Sequence, residues 1–359
     1  MEPPTGPETQ KVTAGDQLSY HAYLLRLWKE QRGGQPVWRA SLENPHTGER
    51  IGFADLTQLF AFLQTQASSR PGARSADIER NTPMAAAKTT PNQYLLAGGS
   101  AELERLQLQA RVWEPEAEAM LDRISLQPGW NCVDLGCGAM GILGPLSRRV
   151  GPLGHVVGVD IDLKLLAAAR EFVHDPYLDN VELLELDAYR TQLPRESFDF
   201  THVRFVFGPA GRAQVLLNEM LALTRPGGRL AVQEIDSVGW NCYPANTGWA
   251  TLKAAVAGAF ARAGGDINAG QRTFGMLRQA GLEDVQLRAA VVGLQDQHPY
   301  KRVLVQLATS LRGRILDGGL LSEAELDAAV AECERVAADP QTIVISMVVT
   351  QVWGRKPIG

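Results

Sequence analysis

The chain has 359 residues, which at about 150 residues per domain predicts two or three structural units and excludes a single small domain. Hydrophobic residues make up 45% of the chain and charged residues 21%, so it can bury a sizeable core and is not disordered as a whole. Its net charge of −5 lacks the basic excess that binding to a phosphate backbone usually requires, which argues against nucleic acid as a partner.

Cysteine usage and hydropathy indicate the compartment. The four cysteines are too few for a disulfide framework in so long a chain, and they form no CxxC pair or zinc-type cluster. We therefore predict no metal site. The N-terminal segment lacks the basic and apolar regions of a signal peptide, and no apolar run approaches membrane-spanning length. These features predict a cytoplasmic protein without a membrane partner.

Residues 18–66 are predicted to form a small β-β-β-α module. Its strands are indicated by alternating or β-prone runs from Tyr20 to Trp28, from Val37 to Leu42 and from Ile51 to Phe53. Asp55 is placed to cap the helix. The apolar face of that helix is expected to comprise Leu56, Leu59, Phe60 and Leu63. A module of about fifty residues is marginal on its own.

The segments on either side of this module read as irregular. Residues 1–17 are polar and proline-containing, which predicts a disordered tail, and residues 67–92 lack apolar periodicity, which predicts a linker or arm. Residues 93–359 then form the main domain. It is expected to open with one helix from Ser100 to about Arg111 and a second from Pro115 to Ile124.

From Asn131 onward, strand and helix patterns alternate. This alternation predicts an α/β fold, a Rossmann-like and mostly parallel sheet with helices on both faces. The predicted strands are Asn131–Leu135, His155–Asp160, Val181–Leu186, Phe198–Phe205, Arg229–Glu234, Val285–Val292 and Ile343–Trp353, and the predicted helices are 141–150, 163–172, 212–223, 247–263 and 271–280. Residues 295–338 read as a helical insertion between the last two strands. We expect a lid or a dimer contact there, which leaves a homodimer open.

The segment from Val133 to Gly141, VDLGCGAMG, is a strand that runs into a glycine-rich turn and then a helix. Gly136, Gly138 and Gly141 satisfy G-x-G-x-x-G, which alone is a weak signal, since a tight turn without a ligand fits it as well. Asp134 separates the ligand classes. A pyrophosphate gains nothing from a carboxylate two residues before the first glycine, whereas the ammonium of S-adenosylmethionine does.

Two further acids stand at successive strand ends. Asp160 ends the second strand, where a carboxylate can accept both hydrogen bonds of a ribose diol, and this fits either cofactor. Asp187 ends the third strand, where it can accept from an adenine amino group. Three acids at three successive strand ends are hard to explain together as solvated loops.

The chain from about Tyr94 onward resembles the class I S-adenosylmethionine-dependent methyltransferases that act on small molecules. The similar motifs are VDLGCG, VVGVDID, LDA, FDFTHVRFVF and RPGGRLAVQE. The resemblance implies a seven-stranded sheet with a terminal antiparallel hairpin and S-adenosylmethionine as cofactor. One departure is that Met140 stands where the family often has a glycine, with Gly141 following. The residues expected at the cofactor are Tyr94, Asp134, Gly136, Cys137, Gly138, Asp160, Ile161, Asp187, Ala188 and Arg204.

Residues for the reaction itself are less marked. The sulfonium donor is already activated, so transfer needs chiefly a nucleophile held in line with the methyl group and away from water. His202, near the end of the fourth strand, is the best-placed candidate base, against the alternative of a hydrogen-bonded structural histidine. Arg204 is placed to pair with the cofactor carboxylate, with an acidic substrate or with Glu102 or Glu104. Expected substrate contacts are Glu234, Asp236, Trp240 and Tyr243.

Three functions remain open from the sequence. The first is methyl transfer to a small-molecule acceptor in small-molecule or secondary metabolism, most simply O-methylation, with N- or C-methylation not excluded. The second is an NAD(P)-dependent oxidoreductase, which the literal glycine pattern supports and Asp134 opposes. The third is a non-catalytic nucleotide-binding module, or a methyltransferase of a peptide or protein that the N-terminal module recognises.

Overall fold

The computed structural model describes residues 24–32, 35–43, 50–55, 57–60, 62, 99–173 and 178–358. The predicted tail, the predicted arm and Tyr94 lie outside the described residues. The strands are β1 Leu24–Arg32, β2 Gln35–Glu43, β3 Arg50–Phe53, β4 Asn131–Leu135, β5 His155–Asp160, β6 Val181–Glu185, β7 Phe198–Arg204, β8 Thr224–Asp236, β9 Asn241–Tyr243, β10 Glu283–Ala290, β11 Gly293–Leu294, β12 Ile343–Ile345 and β13 Val348–Arg355.

The helices lie before and between the strands of the main domain. They are α1 Gly99–Ile124, α2 Leu143–Val150, α3 Leu163–Val173, α4 Phe207–Ala210, α5 Ala213–Leu223, α6 Thr247–Arg262, α7 Gly270–Gln279, α8 Val303–Ser310, α9 Arg312–Asp317 and α10 Glu323–Ala338, with a 3₁₀ turn over Pro299–Arg302. None of these described helices combines the length and hydropathy needed to cross a lipid bilayer. All four cysteines are buried free thiols.

The N-terminal strands form the predicted antiparallel sheet in the order β1-β2-β3. Residues 57–60 and 62 are helical, and Asp55 Oδ1 accepts a hydrogen bond of 2.8 Å from the Gln58 amide, as the predicted cap should. Leu59 is buried against this sheet, whereas Phe60 is 38% exposed, so its predicted place on the apolar face is wrong. Leu56 and Leu63 lie outside the described residues.

One continuous helix, α1, replaces the two helices predicted between Ser100 and Ile124, and Pro115 lies inside it. A proline removes one backbone donor from the helical ladder, which the sequence pattern reads as a break. Packing compensates for this loss, because Trp113 and Ala117 on either side of Pro115 are fully buried. The Trp113 indole also donates a hydrogen bond of 3.1 Å to the Tyr300 hydroxyl.

The central sheet has seven strands in the order β10-β13-β8-β7-β4-β5-β6. The strands from β8 to β6 pair in parallel, and β13 runs antiparallel between β8 and β10. This confirms the predicted Rossmann-like sheet with a terminal antiparallel pair. In chain order, β5 and β6 are added on one side of β4, and β7 and β8 are added on its other side. The loops after β4 and β7 therefore open a crevice between them at the carboxyl edge of the sheet.

The last predicted strand, Ile343–Trp353, divides into β12 and β13, and the predicted strand Val285–Val292 corresponds to β10 and is followed by the short strand β11. β10 and β13 belong to the central sheet, whereas β11 and β12 join β9 in a separate three-stranded sheet. The division falls at Val292 and Ser346. The Ser346 amide donates to the Val292 carbonyl, and the Val292 amide donates to Ser346 Oγ, each at 2.9 Å. These bonds hold the two segments together where each passes from the central sheet to the smaller one. β-propensity alone does not reveal this change of sheet.

Helices occupy the predicted insertion between β11 and β12. α8, α9 and α10 pack with α6 around a large apolar core that includes Phe260, Leu304 and Cys333. Lys301 is fully buried beneath them, and its ammonium donates to the carbonyls of Asp296, Asp339 and Thr342 at 3.0 to 3.1 Å. The insertion is therefore a packed part of the main domain.

Candidate active site

A cavity of about 490 Å³ lies at the carboxyl edge of the central sheet, between the ends of β4, β5 and β7 and a roof of helices. This volume is in the range of small-molecule sites. The floor residues come from the glycine turn and the strand ends, and most roof residues come from α1, α6, α8 and α9. Of the residues predicted at the cofactor, the described ones that line the cavity are Asp134, Gly136, Cys137, Gly138, Asp160, Ile161, Asp187, Ala188 and Arg204.

The glycine turn uses its three glycines differently. Gly136, Gly138 and Gly141 all have positive φ angles, of 72°, 58° and 52°. A Cβ on Gly138 would meet no protein atom within 4 Å, so this glycine borders open cavity. A Cβ on Gly141 would lie 2.2 Å from Asp134 Oδ2. The shift of this glycine to the position after Met140 therefore leaves room for the Asp134 carboxylate.

Backbone hydrogen bonds tie the turn to the neighbouring strand. The amides of Gly136 and Cys137 donate to the Val159 carbonyl at 2.7 and 2.9 Å. The Cys137 side chain is only 3% exposed, and burial raises the pKa of its thiol well above the usual value, with Asp134 as a second cause. Cys137 is therefore a neutral wall of the cavity and not a nucleophile.

The acids at the ends of β5 and β6 are held by backbone amides. Asp160 accepts from the Gly138 amide through Oδ2 and from the Asp162 amide through Oδ1, both at 2.9 Å. Burial raises the pKa of Asp160, and these amides act in the opposite direction. Asp187 Oδ1 accepts from the Tyr189 amide at 2.9 Å. Each acid keeps lone pairs for a ligand on the cavity side.

Asp134 and His202 form a buried pair. His202 Nδ1 lies 2.7 Å from Asp134 Oδ1, and the Ile142 amide donates to Asp134 Oδ2 at 3.1 Å. Asp134 is 1% exposed and His202 is 0% exposed. His202 does not line the cavity. The structure thus contradicts the prediction of His202 as a catalytic base, because both ring nitrogens are engaged inside the sheet and away from any acceptor.

A chain of side chains across the sheet fixes the tautomer of His202. Arg288 can only donate, and its Nη1 donates to Gln351 Oε1 at 2.6 Å. Gln351 Nε2 then donates to Gln233 Oε1 at 2.8 Å, and Gln233 Nε2 lies 3.0 Å from His202 Nε2. His202 Nε2 must accept this bond. His202 is therefore neutral with its proton on Nδ1, and it donates that proton to Asp134.

Arg204 stands at the end of β7 beside the glycine turn. Its Nη2 donates to the Gly141 carbonyl at 2.8 Å, and its Nη1 is buried without a hydrogen-bond partner among the described residues. Burial lowers the pKa of Arg204, and the Asp134 carboxylate acts in the opposite direction. Glu102, one of its predicted partners, instead binds Arg105 at 2.6 and 2.9 Å, and Glu104 is exposed. Arg204 therefore lines the site and has one donor unmatched among the described residues.

An apolar surface lies next to the acids. Ile161 is 53% exposed and lines the cavity beside Asp160, and Ala188 lines it beside Asp187. Tyr189 follows, with the Arg212 guanidinium 4.1 Å above its ring and its hydroxyl buried without a partner in the described part of the chain. Burial raises the pKa of Tyr189 to about 12. This surface can receive a flat ring.

Glu234 was predicted to bind substrate, and the structure contradicts this. It is fully buried, and its carboxylate accepts from the amides of Gly208 at 3.1 Å and Ile235 at 2.9 Å. Burial raises the pKa of Glu234 to about 7. Its carboxylate anchors the α4 turn behind the cavity wall, to which Pro209 and Ile235 contribute.

The other predicted substrate contacts also lie outside the cavity lining. Trp240 is fully buried and packs edge-on against Trp249 at 6.0 Å, so the predicted aromatic wall is part of the core. Tyr243 pairs with Ile343 in the three-stranded sheet of β9, β11 and β12. Asp236 accepts from the Val238 amide at 2.8 Å in the loop after β8. Ile235 is the last residue of β8 in the cavity lining, so the chain leaves the cavity before it reaches all three of these residues.

The roof was not predicted from the sequence. It consists mainly of apolar side chains with a few polar groups, namely Arg105, Leu106, Gln109, Ala110, Phe260, Ala263, Leu307, Arg314 and Met347. The one available signal was the position of the helical insertion, which contributes Leu307 and Arg314. Arg105 is held by Glu102 and by Gln109 at 2.8 Å. Two residues of the insertion therefore line the cavity, and its interpretation as a lid or a dimer contact stays a prediction.

Comparison with known proteins gives matches to methyltransferases over part of the chain. Residues 126–281 match the family model described as a methyltransferase domain. A demethylmenaquinone methyltransferase of Listeria welshimeri is 32% identical over 119 residues, which are 33% of this chain and 49% of the relative. A ubiquinone/menaquinone biosynthesis C-methyltransferase of Hahella chejuensis is 32% identical over 127 residues, which are 35% of this chain and 50% of the relative. The chain spans about half the length of the curated relatives it matches.

Among solved structures, a methyltransferase of Geobacter sulfurreducens in complex with S-adenosylhomocysteine is 17% identical with a TM-score of 0.42, covering 68% of this chain and 89% of that one. The matched residues 126–281 of the present chain contain the glycine turn, the three strand-end acids and the change of side in the strand order at β4 described above. Residues 126–281 therefore match a methyltransferase domain, and the curated relatives named above are methyltransferases.

Proposed function

We propose that this protein transfers a methyl group from S-adenosylmethionine to a small-molecule acceptor bound beneath the helical roof. The observation that carries the proposal is the arrangement of Asp134, Asp160 and Asp187 along one edge of a single cavity, each held by a backbone amide. Three fixed carboxylates beside an open glycine suit a ligand with several donor groups.

The three carboxylates and the Arg204 guanidinium suit different parts of this cofactor. We assign the Asp134 carboxylate to the ammonium group, Asp160 to the ribose hydroxyls and Asp187 to the adenine amino group. Ile161 supplies an exposed apolar contact for the adenine ring. The unmatched Nη1 of Arg204 suits the carboxylate at the methionine end. An oppositely charged pair of protein groups beside the glycine turn thus faces the two charges of an amino acid.

S-adenosylmethionine, when bound, supplies a methyl group already activated on a sulfonium. The residues of this chain then need to orient the acceptor and exclude water. The roof residues Leu307 and Phe260 provide that exclusion from above. No histidine lines the cavity in the described part of the chain, so we expect an acceptor that ionises readily without a histidine base.

O-methylation of a phenol or enol is the expected reaction, since such an oxygen ionises readily. C-methylation at the carbon next to that oxygen is the second candidate, because the Hahella chejuensis relative is named a C-methyltransferase. Both reactions use the same activated anion. Carbon NMR of the product formed from a donor with an isotopically labelled methyl group separates them, since a methyl carbon bonded to oxygen resonates far downfield of one bonded to carbon.

The test is transfer of label from S-adenosylmethionine carrying a radioactive methyl group into a small-molecule extract. We expect labelled product with the wild type and with Glu182→Gln, which changes an exposed carboxylate outside the cavity. Asp160→Asn should lower the rate at least tenfold at low cofactor concentration, because it replaces an acceptor oxygen by a donor. Binding of S-adenosylhomocysteine without any label transfer would leave a non-catalytic module and overturn the proposal.

A further inference from the structure

The two sides of the cavity differ in charge. The floor carries the acids Asp134, Asp160, Asp162 and Asp187. The roof carries arginines and no acid among the described lining residues. Its remaining surface is mostly apolar, as in Leu307 and Phe260. Because the proposed function assigns the floor to the cofactor, the roof residues are left to contact the acceptor, and their chemistry indicates what the acceptor is.

Arg314 is the roof cation that has no ion-pair partner among the described residues. It lies on α9 in the helical insertion, is half-buried and lines the cavity. No carboxylate among the described residues pairs with its guanidinium, whereas Arg312 on the same helix binds Asp327 and Glu323 at 2.7 and 2.9 Å. Arg105 differs again, because Glu102 neutralises it. An unpaired guanidinium at a partly desolvated wall favours an anionic ligand.

We infer that the acceptor has an apolar body and a carboxylate or phosphate group, and that Arg314 binds this anionic group. The inference rests on the proposed function, since it takes the floor as the cofactor half. The anionic group is distinct from the atom that receives the methyl group. Leu307, Phe260 and Met347 provide the apolar surface for the rest of the molecule.

A pair of isosteric probes tests this inference on the full chain saturated with S-adenosylhomocysteine. Phenylacetate and phenylacetamide have the same shape and differ in charge, and phenyl phosphate provides the phosphate arm. We expect one or both anions to bind at least tenfold more tightly than phenylacetamide, as a charge-assisted bidentate contact predicts. Arg314→Gln should remove this preference, and Arg314→Lys should keep part of it.

The controls separate charge from folding. Arg312→Gln changes the same helix at the surface and should keep the preference for anions. Thermal unfolding should give Arg314→Gln a midpoint close to that of the wild type, since the described part of the chain offers this side chain no ion pair to lose. Affinity for S-adenosylhomocysteine should stay within about twofold, since Arg314 belongs to the other half of the cavity.

Each other outcome counts against the inference. Equal or absent binding of the charged and neutral probes, with S-adenosylhomocysteine bound, overturns it and leaves the proposed function standing. Retention of the preference for anions in Arg314→Gln also overturns it. Failure of S-adenosylhomocysteine to bind the wild type overturns both the proposed function and the inference.

Discussion

The Asp134 carboxylate accepts a hydrogen bond of 2.7 Å from His202 Nδ1, and solvent reaches neither side chain beyond a trace. A histidine so placed orients the carboxylate instead of removing a proton from an acceptor. Its own orientation is set from β8 by Gln233. The acid that we assign to the cofactor ammonium is thus positioned by a polar chain that extends through the sheet to Arg288.

Gln233→Leu should break this chain at its centre. We expect the affinity for S-adenosylhomocysteine to fall about tenfold, because His202 loses the donor that fixes its ring. Gln286→Leu, at an exposed position of β10, is the matched control and should bind like the wild type. Nitrogen NMR of histidine in the wild type should show a protonated Nδ1 and an unprotonated Nε2 at His202. A protonated Nε2 there would contradict the chain as described.

Gly138 and Gly129 make a matched pair for the glycine turn. Both have positive φ, and a Cβ on either would meet no protein atom within 4 Å. Alanine at either position should cost about 1 kcal/mol of stability through the backbone. Only Gly138→Ala should also weaken binding of S-adenosylhomocysteine, at least tenfold, because Gly138 lines the cavity. Calorimetric titration measures the affinity of each variant for S-adenosylhomocysteine. Equal affinities of the two variants would show that Gly138 does not contact this ligand.

The stability of the protein should depend on pH through Glu234. Burial raises the pKa of Glu234 from 4.5 to about 7, so the folded state holds this proton more tightly than the unfolded state. As pH rises from about 4.5 to about 7 the unfolded state ionises first, and folding loses about 3 kcal/mol at this residue, a penalty that persists at higher pH.

The measurement for Glu234 is urea unfolding at pH 5 and at pH 8. Between these values Glu234→Gln should lose less stability than the wild type does, because its side chain does not ionise. Glu104→Gln, at an exposed position on α1, should follow the wild type. If wild type and Glu234→Gln change in parallel between the two pH values, this account of Glu234 is wrong.

Lys301 should hold the insertion in place. Replacement by Met removes a buried donor that three carbonyls share, so we expect the free energy of unfolding to fall by about 2 to 4 kcal/mol. Arg302→Met changes the neighbouring residue, which forms an exposed ion pair with Glu334, and should cost less than about 1 kcal/mol. Denaturant titration compares them, and equal losses would show that the Lys301 contacts add little.

The sequence predicted the floor of the site far better than its roof. The floor depends on local signals, since a strand, a glycine turn and an acid at the strand end are adjacent in the chain. Asp134, Asp160 and Asp187 were found in this way, and all line the cavity. The fold followed from the alternation of strand and helix patterns along the chain. The predicted break at Pro115 was wrong, because packing of α1 outweighs the loss of one backbone hydrogen bond.

The roof depends on contacts between residues far apart in the chain. Arg314 reaches the cavity only because the insertion folds back over the sheet, and no periodic pattern reports this. The burial of His202 has the same origin, since Gln233 and Asp134 enclose it from neighbouring strands. A histidine at a strand end has the same pattern in the sequence whether its ring faces the ligand or the sheet interior.

The central claim is that the cavity binds S-adenosylmethionine. Isothermal titration of the full chain with S-adenosylhomocysteine, and separately with NADH, tests it most directly. The account predicts saturable one-to-one binding of S-adenosylhomocysteine, weakened at least tenfold by Asp160→Asn, and no binding of NADH at the same concentrations. Binding of NADH without binding of S-adenosylhomocysteine would contradict the account.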